Sequence, residues 1–259
     1  MNSLQALLLG IIQGLTEFLP VSSSGHIEIG HALLNLNEGN DLLFVLTVHV
    51  ATVLSTIIVF RKDIIGLITD LLKFEKNDST IYIAKLIVAS IPIAIVGMLF
   101  KEEVESFFTG NLFFVGCMLL FTACLLALTH FVKKSDGKIT FFKAFIIGIA
   151  QTVAVLPGIS RSGSTIATGI LLNIKKDEVA RFSFLMVLIP ILGAAFVDII
   201  GGNLSAAEVD TIPLLAGFLG AFISGLLACS LMLKVVKQGK LIYFAIYCSL
   251  IGLIAIFAA

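Results

Sequence analysis

Two apolar runs in this chain are each cut short by a polar turn, and the two turns are alike. Residues 10–26 read Gly-Ile-Ile-Gln-Gly-Leu-Thr-Glu-Phe-Leu-Pro-Val-Ser-Ser-Ser-Gly-His, and residues 148–165 read Gly-Ile-Ala-Gln-Thr-Val-Ala-Val-Leu-Pro-Gly-Ile-Ser-Arg-Ser-Gly-Ser-Thr. An offset of 138 places Gly10, Gln13, Ser22, Ser24 and Gly25 on Gly148, Gln151, Ser160, Ser162 and Gly163. A helix that stops at such a tip leaves backbone N–H and C=O groups without partners. At membrane depth this is tolerated only where protein buries the tip or water reaches it, so each tip predicts a cavity.

The surroundings of both tips are those of a membrane protein. Hydrophobic residues make up 58% of the chain and charged residues 13%, against roughly 45–50% and about 25% in soluble domains; mean hydropathy is +1.09. The net charge of zero carries little information, because in a bilayer the placement of charge matters. No basic tail or aromatic-basic cluster points to nucleic acid. Cys117, Cys124, Cys229 and Cys248 lie in apolar runs without CxxC spacing and read as small buried hydrophobes. The first run lacks a Lys/Arg-rich start and a small-residue cleavage site and contains Gln13 and Glu17, so it reads as mature protein rather than a secretory signal.

About twenty apolar residues cross a bilayer core as a helix. Segments 42–60, 81–100, 111–132, 179–200, 213–233 and 241–258 qualify. Residues 3–19 followed by 26–34, and 141–156 followed by 163–173, do not fit as simple spans. They read as re-entrant hairpins with tips at Pro20 and Pro157-Gly158. The expected fold is one all-α integral membrane domain over 1–259, with six transmembrane helices and two re-entrant hairpins. The first repeat, 1–132, holds hairpin 3–34 and three spans; the second, 140–259, holds hairpin 141–173 and three spans. Three crossings per half invert the second half, so the tips meet near the midplane.

Charge supports this topology independently. Arg61, Lys62, Lys73, Lys76, Lys85, Lys133, Lys134, Lys138, Lys143, Lys175, Lys176, Arg181, Lys234, Lys237 and Lys240 all fall on one side, which is fifteen of the 17 Lys and Arg residues. Lys101 lies on the other, and Arg161 belongs to the second tip. The positive-inside rule then puts these loops in the cytoplasm and both termini outside. Residues 62–73 alternate charged and apolar pairs and predict an amphipathic helix on the cytoplasmic surface.

The chemistry gathers at the tips. Glu17 is the only acidic residue in the first hairpin's apolar run, and Gln13 lies four residues earlier on the same face. A carboxylate at depth is costly unless paired, solvated or metal-bound, which makes it a functional candidate. Ser22, Ser23, Ser24 and Gly25 bring hydroxyls and a flexible backbone to the start of a half-helix expected near His26, where unpaired N–H groups suit phosphate. Ser160, Ser162, Gly163, Ser164 and Thr165 repeat the pattern, and Arg161 adds a planar fork suited to bidentate phosphate binding. His26 brings an acid, base or nucleophile near neutral pH. Glu17 and Arg161 also suit a salt bridge between the tips, paired when the site is empty and separated by metal and phosphate when it is filled. His49 reads as structural, and His31 and His130 as wetted segment ends.

The tips resemble the signature motifs of the bacterial undecaprenyl-diphosphate phosphatase family, the bacitracin-resistance type. Gln13-Gly-Leu-Thr-Glu17 is similar to the family pattern of Glu or Gln, three residues, then Glu. The stretch from Phe18 to His26 and the motif Pro157-Gly158-Ile159-Ser160-Arg161-Ser162-Gly163-Ser164-Thr165 also match. The resemblance implies hydrolysis of undecaprenyl diphosphate, recycling of the lipid carrier for the cell wall, residence in the bacterial plasma membrane, and dependence on a divalent cation, Mg2+ or Ca2+. It implies Glu17, His26, Ser23, Ser160 and Arg161 as the essential set, with Glu17 and Gln13 as metal ligands and Gln13, Ser22, Ser24, Gly25, Ser160, Ser162, Gly163 and Thr165 around the substrate. Many members carry Glu where this chain has Gln13, a weaker ligand for a hard cation.

The nucleophile is left among Ser23, His26 and water. By analogy with a carrier released as diphosphate outside, the site is expected to open outward. The competing class is a transporter or flippase of a polyprenyl phosphate, which uses the same inverted-repeat anion site. Against it stands the asymmetry of the halves, since Val155 occupies the position of Glu17 and Ser23 that of Arg161. An ion channel or scaffold leaves the doubled pattern unexplained. The pattern sets no oligomeric state.

Overall fold

Short polar side chains decide where the helices begin. The Asn2 carboxamide accepts from the Gln5 N–H and starts α1 (Ser3–Phe18); the Ser22 hydroxyl accepts from the Gly25 N–H and starts α2 (Ser23–Leu33). The computed structural model describes residues 1–34, 36, 42–108, 110–132, 135–193 and 211–259. Next come α3 (Leu42–Val59), α4 (Arg61–Leu71) and α5 (Asp78–Leu99), the last capped by Asn77. The short α6 (Lys101–Glu105) leads to α7 (Leu112–Leu128), capped by Asn111 and prolonged by a 3-10 turn, Thr129–Phe131. The second half follows with α8 (Phe141–Val153), capped by Thr140, then α9 (Arg161–Leu171), capped by Ser160, and α10 (Lys176–Met186). It ends with α11 (Thr211–Lys237) and α12 (Ile242–Ala258). Apart from one bridge between Gly137 and Ile174, the described residues form helices and turns.

Among the described residues, α5, α7 with its 3-10 extension, and α11 are long and apolar enough to cross a membrane. A fourth candidate is α3 taken with α4, which are bent by 76° at their junction. The bend carries α4 away as the expected surface helix: none of its residues is buried, and Asp63 pairs with Arg181 of α10 at 3.2 Å. With its apolar helices this is a multi-pass membrane protein.

Three boundaries differ from the sequence expectation. The half-helices begin at Ser23 and Arg161 rather than at residues 26 and 163, because Ser22 and Ser160 act as caps and draw the following residues into the first turn. The expected span 179–200 is interrupted, since α10 ends at Met186, Val187 is a turn, and helix resumes over 188–193. Its last residues, 194–200, lie outside the described residues, as do Lys133 and Lys134.

Helices pack across the halves, and small residues set the seams. A methyl group on Gly10 of α1 would run into the Gly217 backbone of α11, and one on Gly148 of α8 into the Ala89 backbone of α5. On α7 a methyl group at Gly116 would meet the Gly252 carbonyl of α12 at 2.7 Å. Backbone meets backbone at all three places, so only glycine lets the helices approach this closely. The larger core cluster surrounds α9 with Ile147, Ile166, Ile170, Phe182 and Met186; a smaller one joins Ala6 and Leu9 to Phe44, Val48 and Ala221.

Candidate active site

The two tips touch. A methyl group on Gly25 would lie 3.1 Å from the Gly158 backbone, and one on Gly163 would lie 3.2 Å from the Pro20 ring. The Ser162 hydroxyl donates to the Leu19 carbonyl at 3.2 Å across the junction. Residues far apart in sequence thus share one centre, and its hub is Glu17, 8% exposed.

Each oxygen of the Glu17 carboxylate has its own partners. Arg161 Nη2, from the second tip, pairs with Oε1. The Ser23 hydroxyl donates to Oε2 at 2.7 Å, and Gln13 Nε2 donates to the same oxygen at 3.0 Å. A buried carboxylate held by one cation and two neutral donors is stable where an isolated one is not. His49 of α3 lies within electrostatic reach of Glu17, although its Nδ1–H is committed to the Val45 carbonyl at 2.8 Å. Arg161 Nη1 is buried without a hydrogen-bond partner, so the guanidinium keeps a donor face in reserve.

Around this hub the serines divide their labour. Ser22 and Ser160 cap the half-helices by accepting from Gly25 and Gly163 N–H at 3.3 and 3.0 Å. Ser24 and Ser162 lie 3.3 Å from these caps. The first N–H groups of both helices, at Ser23 and Ser24 and at Arg161 and Ser162, lack intrahelical partners, and both N-termini favour negative charge. Ser22 holds φ at 69°, a left-handed conformation unusual for a residue with a side chain. Thr165 lies behind these serines, fully buried, with its hydroxyl 2.9 Å from the Arg161 carbonyl and against Ser183.

His26 stands on the first turn of α2. Its Nδ1 lies 2.8 Å from the Ser22 carbonyl oxygen, which can only accept, so Nδ1 carries the hydrogen in the neutral ring. Nε2 keeps the lone pair and meets the Tyr247 hydroxyl of α12 at 2.9 Å.

Sequence reasoning missed several residues that complete the centre. Thr122 of α7 accepts from the Ser160 N–H at 3.0 Å and donates to the Gly158 carbonyl at 3.2 Å, satisfying the irregular backbone of the second tip. A narrow cleft on Glu17 and Arg161 is lined by Thr52 and Thr56 of α3 and by Ser183 of α10. Single polar residues in long apolar helices carry no spacing signal that would have singled them out.

The oxygen donors of Glu17, Gln13 and Ser23 are of the kind a hard divalent cation takes. Among the described residues no group of three His, Cys, Asp or Glu side chains is placed to hold a metal. Glu17, Gln13 and Ser23 thus offer a partial oxygen set of the kind such a cation accepts.

Fold and site together define a polytopic helical membrane protein in which two broken-helix tips meet around a buried carboxylate paired with an arginine. The chain belongs to the family described as bacitracin resistance protein BacA, whose family model matches residues 6–254. It is similar to the undecaprenyl-diphosphatase of Bacteroides fragilis, 52% identical over 260 residues that cover 99% of this chain and 98% of that protein. The undecaprenyl-diphosphatase of Christiangramia forsetii is 50% identical over 100% of this chain and 99% of its own length. The undecaprenyl-diphosphatase of Methanosphaera stadtmanae is 38% identical over 99% and 98%.

Proposed function

We propose that this protein is a membrane phosphatase that hydrolyses undecaprenyl diphosphate to undecaprenyl phosphate and inorganic phosphate, recycling the lipid carrier for cell-wall synthesis. One observation carries the mechanism: the Ser23 hydroxyl donates to one oxygen of Glu17 while Arg161, from the other tip, pairs with the second. Nucleophile, base and phosphate clamp are joined through a single carboxylate.

In this reading the terminal phosphate enters between the half-helix N-termini, and Arg161 turns from the carboxylate to the phosphate oxygens. Ser23 Oγ forms a bond to phosphorus, its proton passes to Glu17 Oε2, and the bridging P–O bond breaks to release the lipid phosphate. Water then attacks the phosphoserine, giving its proton to His26 Nε2, while Glu17 returns a proton to Ser23 as the Oγ–P bond breaks. Positioning and charge stabilisation supply most of the rate in phosphoryl transfer. A divalent cation, Mg2+ or Ca2+, held by Glu17 and the Gln13 carboxamide oxygen would neutralise charge on the diphosphate.

The architecture belongs to the same proposal: two inverted halves, 1–132 and 140–259, each a re-entrant hairpin plus three spans, with both termini outside. Its support is the equivalence of the Gly10–Gly217 and Gly148–Ala89 seams and the fifteen-to-one charge bias counted from the sequence.

Purified protein in detergent is expected to release phosphate from a prenyl diphosphate. Chelation should stop release and Mg2+ or Ca2+ restore it. Glu17→Ala should lower the rate by about 10³-fold or more; intact release in that variant sinks the assignment. Rapid quenching with labelled substrate should trap label on Ser23, whereas an unlabelled enzyme in a fully active sample points to direct attack by water. Since detergent abolishes any sealed compartment, lipid transport alone gives no phosphate in this assay. A cysteine at Ser24 that reacts with a polar reagent added outside intact cells supports outward access, and protection there reverses it.

A further inference from the structure

His26 and Tyr247 bridge the seam between α2 and α12. The Tyr247 hydroxyl lies 2.9 Å from His26 Nε2, and the two rings are nearly parallel, 9° apart with centroids separated by 5.6 Å. The Ser22 carbonyl already fixes the other end of the imidazole. Two hydrogen bonds at opposite nitrogens, together with a stacked face, leave the ring one orientation.

The partnership is also particular to the first tip. Under the offset of 138, His26 corresponds to Ser164, whose buried hydroxyl has no hydrogen-bond partner among the described residues. Tyr247 is 41% exposed on a helix whose outward face also carries Tyr243, Ile246, Leu250 and Ile254; of its two outward phenols, Tyr247 is the one bonded to His26. A phenol there keeps its ring in the apolar surroundings while its polar end reaches the site.

We propose that Tyr247 is a positioning residue for His26. It holds the imidazole as the Nδ1–H tautomer, its hydroxyl donating to Nε2 in the resting site and giving way there to the water whose proton Nε2 takes as the phosphoserine opens. A phenol suits this task because its hydroxyl donates to the neutral ring and accepts from the protonated one. The inference rests on the reading of His26 as the base of the hydrolytic step.

The test is phosphate release from a short-chain prenyl diphosphate by the full chain in detergent, comparing Tyr247→Phe, His26→Gln and the double variant. Tyr247→Phe keeps the ring and is expected to lower kcat about tenfold, with KM changed by less than about twofold and the melting temperature unaltered. Tyr247→Leu, which also loses the stacked ring, should lower kcat further. In the His26→Gln background, Tyr247→Phe should have no further effect, because the residue it positions is gone. An equal loss in both backgrounds, or unchanged kcat in Tyr247→Phe with His26→Gln impaired, overturns the role of Tyr247 and leaves that of His26 standing. Wild-type turnover in His26→Gln overturns the reading of His26, and the positioning role with it.

Discussion

The two tips share a motif but not an environment. Nearly every residue of α9 from Ser162 to Ile170 is buried, and its leading turn is braced by Thr122 and Ser183. In α2 the buried residues are Gly25, Glu28, Gly30 and His31, while Ser23, Ser24 and His26 stay partly open. The encased tip carries Arg161, which stands partly open at its mouth and in the proposed mechanism turns from the carboxylate to the phosphate. The open tip carries the groups that in that mechanism meet substrate and water. One duplicated pattern thus has a tightly packed side and a more open one.

The largest test of this division is at the paired positions Ser23 and Arg161. Ser23→Ala should lower phosphate release by about 10³-fold, whereas Ser164→Ala in the encased tip should change it by less than about fivefold. Equal losses would mean that both tips react, and the contrast collapses. Arg161→Lys keeps the charge but loses the planar fork, and a fall of about 10²-fold in kcat/KM is expected.

The glutamines sharpen the comparison at smaller amplitude. Gln13 is tied to Glu17, but Gln151 has no hydrogen-bond partner on either side-chain atom although it is fully buried. Gln13→Leu should lower activity about tenfold and destabilise the protein, while Gln151→Leu should keep activity and raise the melting temperature in detergent. A loss of activity in Gln151→Leu would give the encased tip a chemical role that its isolation argues against.

Below these come effects on stability alone. Gly10→Ala and Gly148→Ala each push a methyl group into a facing backbone, and each should cost about 1–3 kcal/mol in thermal unfolding. If one is tolerated and the other is not, the seams are not equivalent. The caps give the smallest signal. Ser160→Gly should cost a few tenths of a kcal/mol (about 0.3), whereas Ser22→Gly relieves a left-handed residue and should be neutral or stabilising by up to about 1 kcal/mol.

The sequence reveals the tips because Pro, Gly and Ser cluster there beside a charge, whereas the Pro and Gly of α5, α7 and α11 stand in otherwise apolar runs, and the doubling makes accident an inadequate explanation. Glu17 and Arg161 stand out for the same reason, as charges where charge is costly. Helix starts are misread by two or three residues, because whether Ser22 or Ser24 caps depends on backbone angles that composition does not encode. The interruption at Val187 has a signal that a count of apolar residues passes over: Pro190 has no N–H to give the Met186 carbonyl, where α10 ends. Tyr247, Thr122, Thr52, Thr56 and Ser183 are invisible for a different reason: each is one ordinary residue on a long helix, and its meaning comes only from what packs opposite.

The glycine seams have a consequence for motion. Where backbone lies on backbone there are no side chains to reshuffle, so α1 cannot shift against α11, nor α8 against α5, without moving the backbone opposite. In the proposed function, a displacement that admits a lipid headgroup between the tips would therefore carry each tip together with a helix from the opposite half, with the ion pair of Glu17 and Arg161 spanning the line along which they part.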